Sequence, residues 1–539
     1  VGVFDLGVGV DFPTDWVVGF RRRREGMNNK LLSTGEILGI VLIGFLSLIM
    51  GGWTIIPLAI LAGAMVGLAV PQEKRSIGRA IVIGLIAALV VAACAYVRNE
   101  LISQLPKQEE IKESAKAPTV YVIAVMLGVL ASLIVAWLRI QPSESLRKWG
   151  LLAFVGACAV AFPFYDAKYE LFWASTMIVA LIFCLQALGL NIVSGYAGLL
   201  DLGYVAFFAI GGYTIALLKS PHTGLNVEFW IIIWIAAAAA AFFGLVLGAP
   251  TLPLRGDYLA IVTLGFGEIV PIVFRNLEAV QVFEPISRLL DYIRSGLTNI
   301  NGGTCLVGCP NPANWTNGTQ GLNPIGQPEL FKVIVDFFNV FGIDVAFKVG
   351  NYPPWYFLIL LLLVLSAFFI GRMRNSRIGR GMVAMREDEL AASSMGIPLV
   401  KTKLTAFMIG ALFSGFAGAF YGSYVSFISP DAFDFSISVI VLCMVILGGT
   451  GNIVGVILGG LIIKIVDLLL LDKLQLVLNG VLRETVFKAV QNEALNNFMA
   501  NLFDATQYKL MLFGIILVVM MLVRPQGLVP EAMTKKKGT

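Results

Sequence analysis

Two carboxylates stand inside apolar segments of a 539-residue chain that is 58% hydrophobic and only 14% charged: Asp201 and Glu268. A carboxylate at the centre of a bilayer costs about 2.5 to 3.5 kcal/mol on insertion scales, so each must face a bundle interior, a water-filled path or a partner. Either residue could contact a transported solute or ion. Equally, Asp201 could cap the next helix and Glu268 could brace a neighbouring one. Other chemistry has little material. His222 is the one histidine, and Cys94, Cys158, Cys184 and Cys443 lie in apolar runs where cysteine behaves as a small hydrophobe. Cys305 and Cys309 share a polar loop and could form a local disulfide if it faces an oxidising compartment. A Cys-x3-Cys pair without further ligands does not make a metal site, and none is expected. No G-x-x-x-x-G-K-[ST] phosphate loop occurs, so the chain is not expected to hydrolyse ATP itself.

The surroundings of the two carboxylates are unusual. Gly189, Gly195, Gly198 and Gly203 interrupt the apolar region that carries Tyr196, Asp201 and Tyr204. Such a region can unwind, and unwound backbone at membrane depth survives only where protein or a water-filled cavity satisfies it. The same glycines also suit close helix packing. Glu268 follows the pair Gly265 and Gly267 in the run 258–274, with Arg255 and Asp257 at its inner boundary. These residues form the candidate solute path: Tyr196, Gly198, Asp201, Tyr204, Gly265, Gly267 and Glu268.

The elements that must position them are membrane spans. Mean hydropathy is +0.84 and net charge +5, and a bilayer core of about 30 Å takes about 20 residues of helix. Fourteen apolar runs fall between residues 37 and 523, several too short to cross alone, so an all-α bundle with broken or re-entrant helices is expected. Lys and Arg concentrate in alternate loops: Arg21 to Arg24, Lys74 to Arg79, Arg139 to Lys148, Arg255, the segment from Gly371 to Lys403, and Lys535 to Lys537. The positive-inside rule makes those loops, and both termini, cytoplasmic. Loop 275–353 then lies outside. Residues 1–149 read as an extension with about four accessory spans and 150–530 as the core, with surface helices over 469–506. Residues 1–26 precede Met27 and read as an upstream extension.

The loop 371–403 is the most basic internal segment. Met382 to Met395 holds good helix formers, Gly396 can stop the helix and Pro398 follows where one cannot easily continue. Its alternating charge could simply solvate a connection, whereas its small residues and methionines suit a groove on a soluble partner.

Five separated stretches occur in one order: Arg255-Gly-Asp-Tyr-Leu-Ala-Ile-Val-Thr-Leu-Gly-Phe-Gly-Glu-Ile-Val; Ile378-Gly-Arg with Arg386-Glu-Asp-Glu and Met395-Gly-Ile; Lys403-Leu-Thr-Ala-Phe; Leu447-Gly-Gly-Thr-Gly-Asn; and Arg524-Pro-Gln-Gly-Leu. Together they resemble the LivM-type permease of bacterial branched-chain amino acid ABC importers, over about residues 150–530. The resemblance implies an inner-membrane permease heterodimer with a LivH-type subunit, two cytoplasmic LivG/LivF-type ATPase subunits that bind ATP and magnesium, and a periplasmic amino-acid-binding protein. It places a coupling helix at Gly379 to Gly396, with Arg377, Gly379, Arg380, Met385, Arg386, Glu387, Asp388, Glu389 and Gly396 at the ATPase contact. Transport of urea or amides, or ion-coupled transport through Asp201 and Glu268, are the alternative readings.

Overall fold

The computed structural model describes residues 118–140, 143–169, 173–221, 227–251, 257–277, 314–329, 350–471 and 509–523, with single residues and short pieces elsewhere. Regular structure among them is helical, apart from one antiparallel bridge between Leu322 and Ile428. The expected all-α, polytopic character is what the chain adopts. Cys305 and Cys309, Arg255, residues 1–26, most of loop 275–353 and nearly all of 469–506 lie outside the described residues.

The chain forms two compact units, Val1–Cys158 and Ala159–Thr539. In the first, α1 (Pro118–Ile140) buries Ala124 and Ala131, and the backbone at Gly128 approaches Ala59 so closely that a Cβ there would lie 2.8 Å from the Ala59 carbonyl oxygen. Helix α2 is Glu144–Tyr169.

The second unit contains α3 (Trp173–Leu190, continued by a π turn at Asn191–Tyr196), α4 (Val205–Lys219), α5 (Phe229–Thr251), α6 (Asp257–Asn276) and α7 (Tyr352–Arg374). Two short helices follow, α8 (Arg377–Glu387) and α9 (Glu389–Ser394), then α10 (Leu399–Val425), α11 (Phe435–Gly448), α12 (Ile453–Ile465, with a π turn at Val466–Leu470) and α13 (Lys509–Val523). Six helices among the described residues are long and apolar enough to cross a membrane: Trp173–Tyr196, Phe229–Pro250, Tyr258–Asn276, Tyr352–Arg374, Leu399–Val425 and Pro430–Gly448.

Helix α10 is the axis of the unit, packed on α3, α4 and α5. Small residues let the backbones approach: a Cβ on Gly211 would lie 2.4 Å from the Gly415 carbonyl oxygen, and one on Gly418 2.1 Å from that of Phe208. Membrane helices associate through such close van der Waals contact, since lipid removes the hydrophobic drive between them. On the other side of α3, Cys184 meets Ile457 and Gly460 while Asn191 meets Gly451, so α3 and α12 run antiparallel.

Candidate functional site

The apolar run that carries Asp201 breaks where the glycines fall. After the π turn the chain leaves helical geometry and re-enters it at Val205. Single π turns inside helices concentrate at functional positions. Helix α4 has only 15 residues, about 22 Å at 1.5 Å per residue and less than a bilayer core. Its start lies against Thr263 and Gly267, about 9 to 15 Å along α6, so α4 begins well inside the bundle.

Two glycines are dictated by this geometry. Gly198 adopts φ +71°, a left-handed conformation that favours glycine, and Gly203 packs so tightly that a Cβ would fall 1.8 Å from the Thr263 carbonyl oxygen. Four backbone donors around the start of α4 are met by protein. Leu202 N–H donates to Thr263 Oγ1 (3.1 Å), Gly203 N–H to Asp201 Oδ1 (3.0 Å), Val205 N–H to Ser438 Oγ (3.0 Å) and Ala206 N–H to the Gly203 carbonyl (3.0 Å). Tyr204 Oη donates to the Gly410 carbonyl at 2.7 Å. Asp201, Tyr196, Tyr204 and Gly267 are all buried. Asp201 does not cap α4, whose N-cap position is Tyr204 without a side-chain bond. It closes a tight turn ahead of the helix by accepting from Gly203 N–H, and its Oδ2 is buried without a hydrogen-bond partner among the described residues. Thr263, Ser438 and Gly410 belong to this site and were not legible beforehand; their roles depend on which helices meet.

The break touches the basic loop. Arg386, in the last turn of α8, donates from Nη1 to the Gly195 carbonyl. A Cβ on Gly198 would lie 2.9 Å from Arg386 Cγ. The Arg374 guanidinium sits 5.9 Å from the Tyr196 ring centroid, a cation–π distance. Gly451 N–H donates to Asn191 Oδ1 (2.8 Å) and Leu528 N–H to the Leu447 carbonyl (2.9 Å). Asn452 Oδ1 caps α12 by accepting from Val454 and Gly455 N–H. The break, the basic loop, the Gly449–Asn452 turn and Leu528 therefore gather at one end of the bundle.

The expected single helix from Met382 to Met395 is two. Asp388 is extended (φ −155°, ψ 113°), and its carboxylate accepts from Ala391 N–H at 2.9 Å, so it starts α9 rather than continuing α8. Aspartate is a strong N-cap and competes with the helix interior for local backbone donors. Ser376 caps α8, accepting from Gly379 N–H, and Gly396 closes α9 at φ +82°. The expectation of a methionine docking face is corrected at Met382 and Met385. Met382 and Met385 are buried with Gly379, because α8 is amphipathic and turns its apolar stripe to the bundle. Glu389 is drawn inward by an ion pair with the buried Lys403 (2.6 Å). Exposed instead are Arg377, Arg380, Arg386, Glu387, Asp388 and Gly396, with the apolar side chains of Ile378, Leu390 and Met395, the last 83% exposed.

Glu268 does not join this cluster. It is exposed on α6, without a hydrogen-bond or ion-pair partner among the described residues. A Cβ on Gly265, one turn earlier, would meet nothing within 4 Å. Asp201 is thus within the core and Glu268 outside it.

The family described as branched-chain amino acid transport system / permease component matches residues 172–521. The high-affinity branched-chain amino acid transport system permease protein LivM of Salmonella typhimurium is 35% identical over 407 residues, covering 72% of this chain and 77% of that protein. LivM of Escherichia coli K12 is 36% identical over 388 residues, covering 69% and 72%. The permease protein LivH of Salmonella typhimurium is 24% identical over 290 residues, covering 53% and 81%. No solved structure matches the chain. With the match spanning the broken helix, the basic loop and the turns gathered against them, this multi-pass membrane chain belongs to the branched-chain amino acid transport permease family.

Proposed function

We propose that the chain is one of two homologous permease subunits of an ATP-driven importer for branched-chain or related hydrophobic amino acids. Its similarity to both LivM and LivH supports pairing with a LivH-type subunit. On this reading ATP and magnesium are bound by two cytoplasmic ATPase subunits of the LivG/LivF type, and a periplasmic binding protein delivers the solute. Both termini and the α8–α9 loop face the cytoplasm, where the alternation of basic loops puts them.

The observation that carries the mechanism is the bond from Arg386 to the Gly195 carbonyl. The ATPase subunits dock on the exposed ridge of α8 and α9, at Arg377, Arg380, Glu387, Asp388, Leu390 and Met395. Movement of that ridge is transmitted through Arg386 and Arg374 to the break at Gly195 to Gly203, where α4 starts. A bundle with two packings, biased by the partner, then exposes the solute site to one side or the other. Tyr196, Gly198, Asp201, Tyr204 and Gly267 keep the break in place beside the path rather than gripping the solute.

The test is the Arg386→Ala variant in the full complex reconstituted in vesicles. ATPase subunits should still co-purify and hydrolyse ATP, while ATP-driven leucine uptake falls about tenfold, a loss of about 1.4 kcal/mol in coupling. Uptake at the wild-type rate would show that the contact transmits nothing. Uptake that follows an ion gradient without ATPase subunits would instead favour the secondary-transporter reading.

A further inference from the structure

The spans of the second unit differ in what they turn outward. Helix α5 exposes Ile231, Trp234 and Phe242, and α7 exposes Leu361, Leu365 and Phe368, so those faces are apolar and lipid tails can cover them. The face of α6 is different. Ile261, Gly265, Glu268 and Ile272 follow one another at helical spacing, and all but the half-buried Gly265 are exposed. Tyr258–Asn276 is also the least buried of the six spans. Glu268 stands ten residues past Tyr258, about 15 Å along a core of about 30 Å. Lipid tails offer a carboxylate no donor at that depth.

We propose that this face of α6 is the contact surface for the second permease subunit, and that the subunit supplies a cation or hydrogen-bond donor to the Glu268 carboxylate. The proposal rests on the reading above that two permease subunits pair. A soluble ATPase or binding protein cannot reach the middle of the membrane, so the occupant is itself a membrane helix. The open space at Gly265 lets the backbone of that helix come close, the usual device for tight packing in lipid. A second copy of this chain is the poorer fit. A two-fold contact centred on this face would set one Glu268 against the other, and like charges in a low dielectric oppose such a pairing. A homologous but non-identical subunit can present the complementary group.

The experiment uses the complete complex in native membranes, with a photoreactive benzophenone amino acid at Ile261 or Ile272 of α6, and at Leu365 of α7 as the comparison. Adducts with the second permease from both α6 positions, and lipid adducts from Leu365, are expected. Adducts confined to lipid, or to another copy of this chain, in a complex that still co-purifies and transports would overturn the proposal. The charge is tested by Glu268→Leu against Glu268→Gln, with the amount of this chain in the membrane measured alongside. Recovery of the second subunit per copy of this chain should fall about tenfold for Leu and little for Gln. Full recovery with Leu would remove the role of the carboxylate. If the wild-type chain brought no second permease with it, the importer reading would fall instead, a separately visible outcome.

Discussion

Asp201 and Glu268 are carboxylates of similar setting in the sequence, each beside glycines in an apolar run, yet they do opposite work. Asp201 is buried in the turn between α3 and α4 and spends one oxygen on the Gly203 N–H, while the other is buried without a hydrogen-bond partner among the described residues. Glu268 lies one helix away and points out of the chain with no described partner. A charged group at membrane depth is thus either consumed by the fold or left for another molecule. Burial and bonding separate the two cases; residue type does not. Asp467 shows what full compensation looks like. It is buried, 2.9 Å from Lys464 Nζ and 3.6 Å from Lys509 Nζ, while Lys464 also lies 3.7 Å from the Phe183 ring centroid.

The contrast can be broken in order of expected effect. Asp467→Asn should be the most damaging, because it strands the buried Lys464; removing one member of such a pair costs about 3 to 5 kcal/mol. Thermal unfolding of the purified chain should show a large loss, and a Lys464→Met, Asp467→Leu double variant should recover most of it. Gly203→Val places a side chain into the Thr263 backbone and should cost about 3 kcal/mol, read as loss of monodisperse protein in size-exclusion chromatography. Asp201→Ala removes the acceptor of the buried Gly203 N–H and should cost about 1 kcal/mol in the same unfolding measurement, with Asp201→Asn milder because the asparagine side-chain oxygen can accept the same bond. Glu268→Gln should change the stability of the chain alone by less than about 0.5 kcal/mol, as a surface substitution does. Equal losses for Asp201→Ala and Glu268→Gln would mean that both carboxylates serve the fold, and the distinction would collapse.

A second contrast lies in the loop 371–403. Met382 and Met385 looked like docking residues because they are apolar in a polar loop, but amphipathic α8 spends them on its own bundle. Ile378, Leu390 and Met395 remain outside. The break at Asp388 follows from its strength as a cap, a local signal present in Asp388-Glu-Leu-Ala yet outweighed in the reading by the helix formers around it.

The sequence by itself was enough for the membrane class, the all-α fold, the absence of a phosphate loop and the ordered motifs of the family. Those properties are sums over residues or local spacings, and each residue contributes to them whatever its neighbours in space. Tertiary structure alone decided that Arg386 bonds Gly195, that Thr263 and Ser438 complete the start of α4, and that Asp201 lies within while Glu268 lies without. The physical reason is that helices apolar nearly all round carry little record of which face packs inward. In a lipid solvent, transfer free energy barely distinguishes a lipid-facing leucine from a buried one, so close backbone approach and the bonding of a few polar groups orient the helices. Those terms exist only once the helices have met.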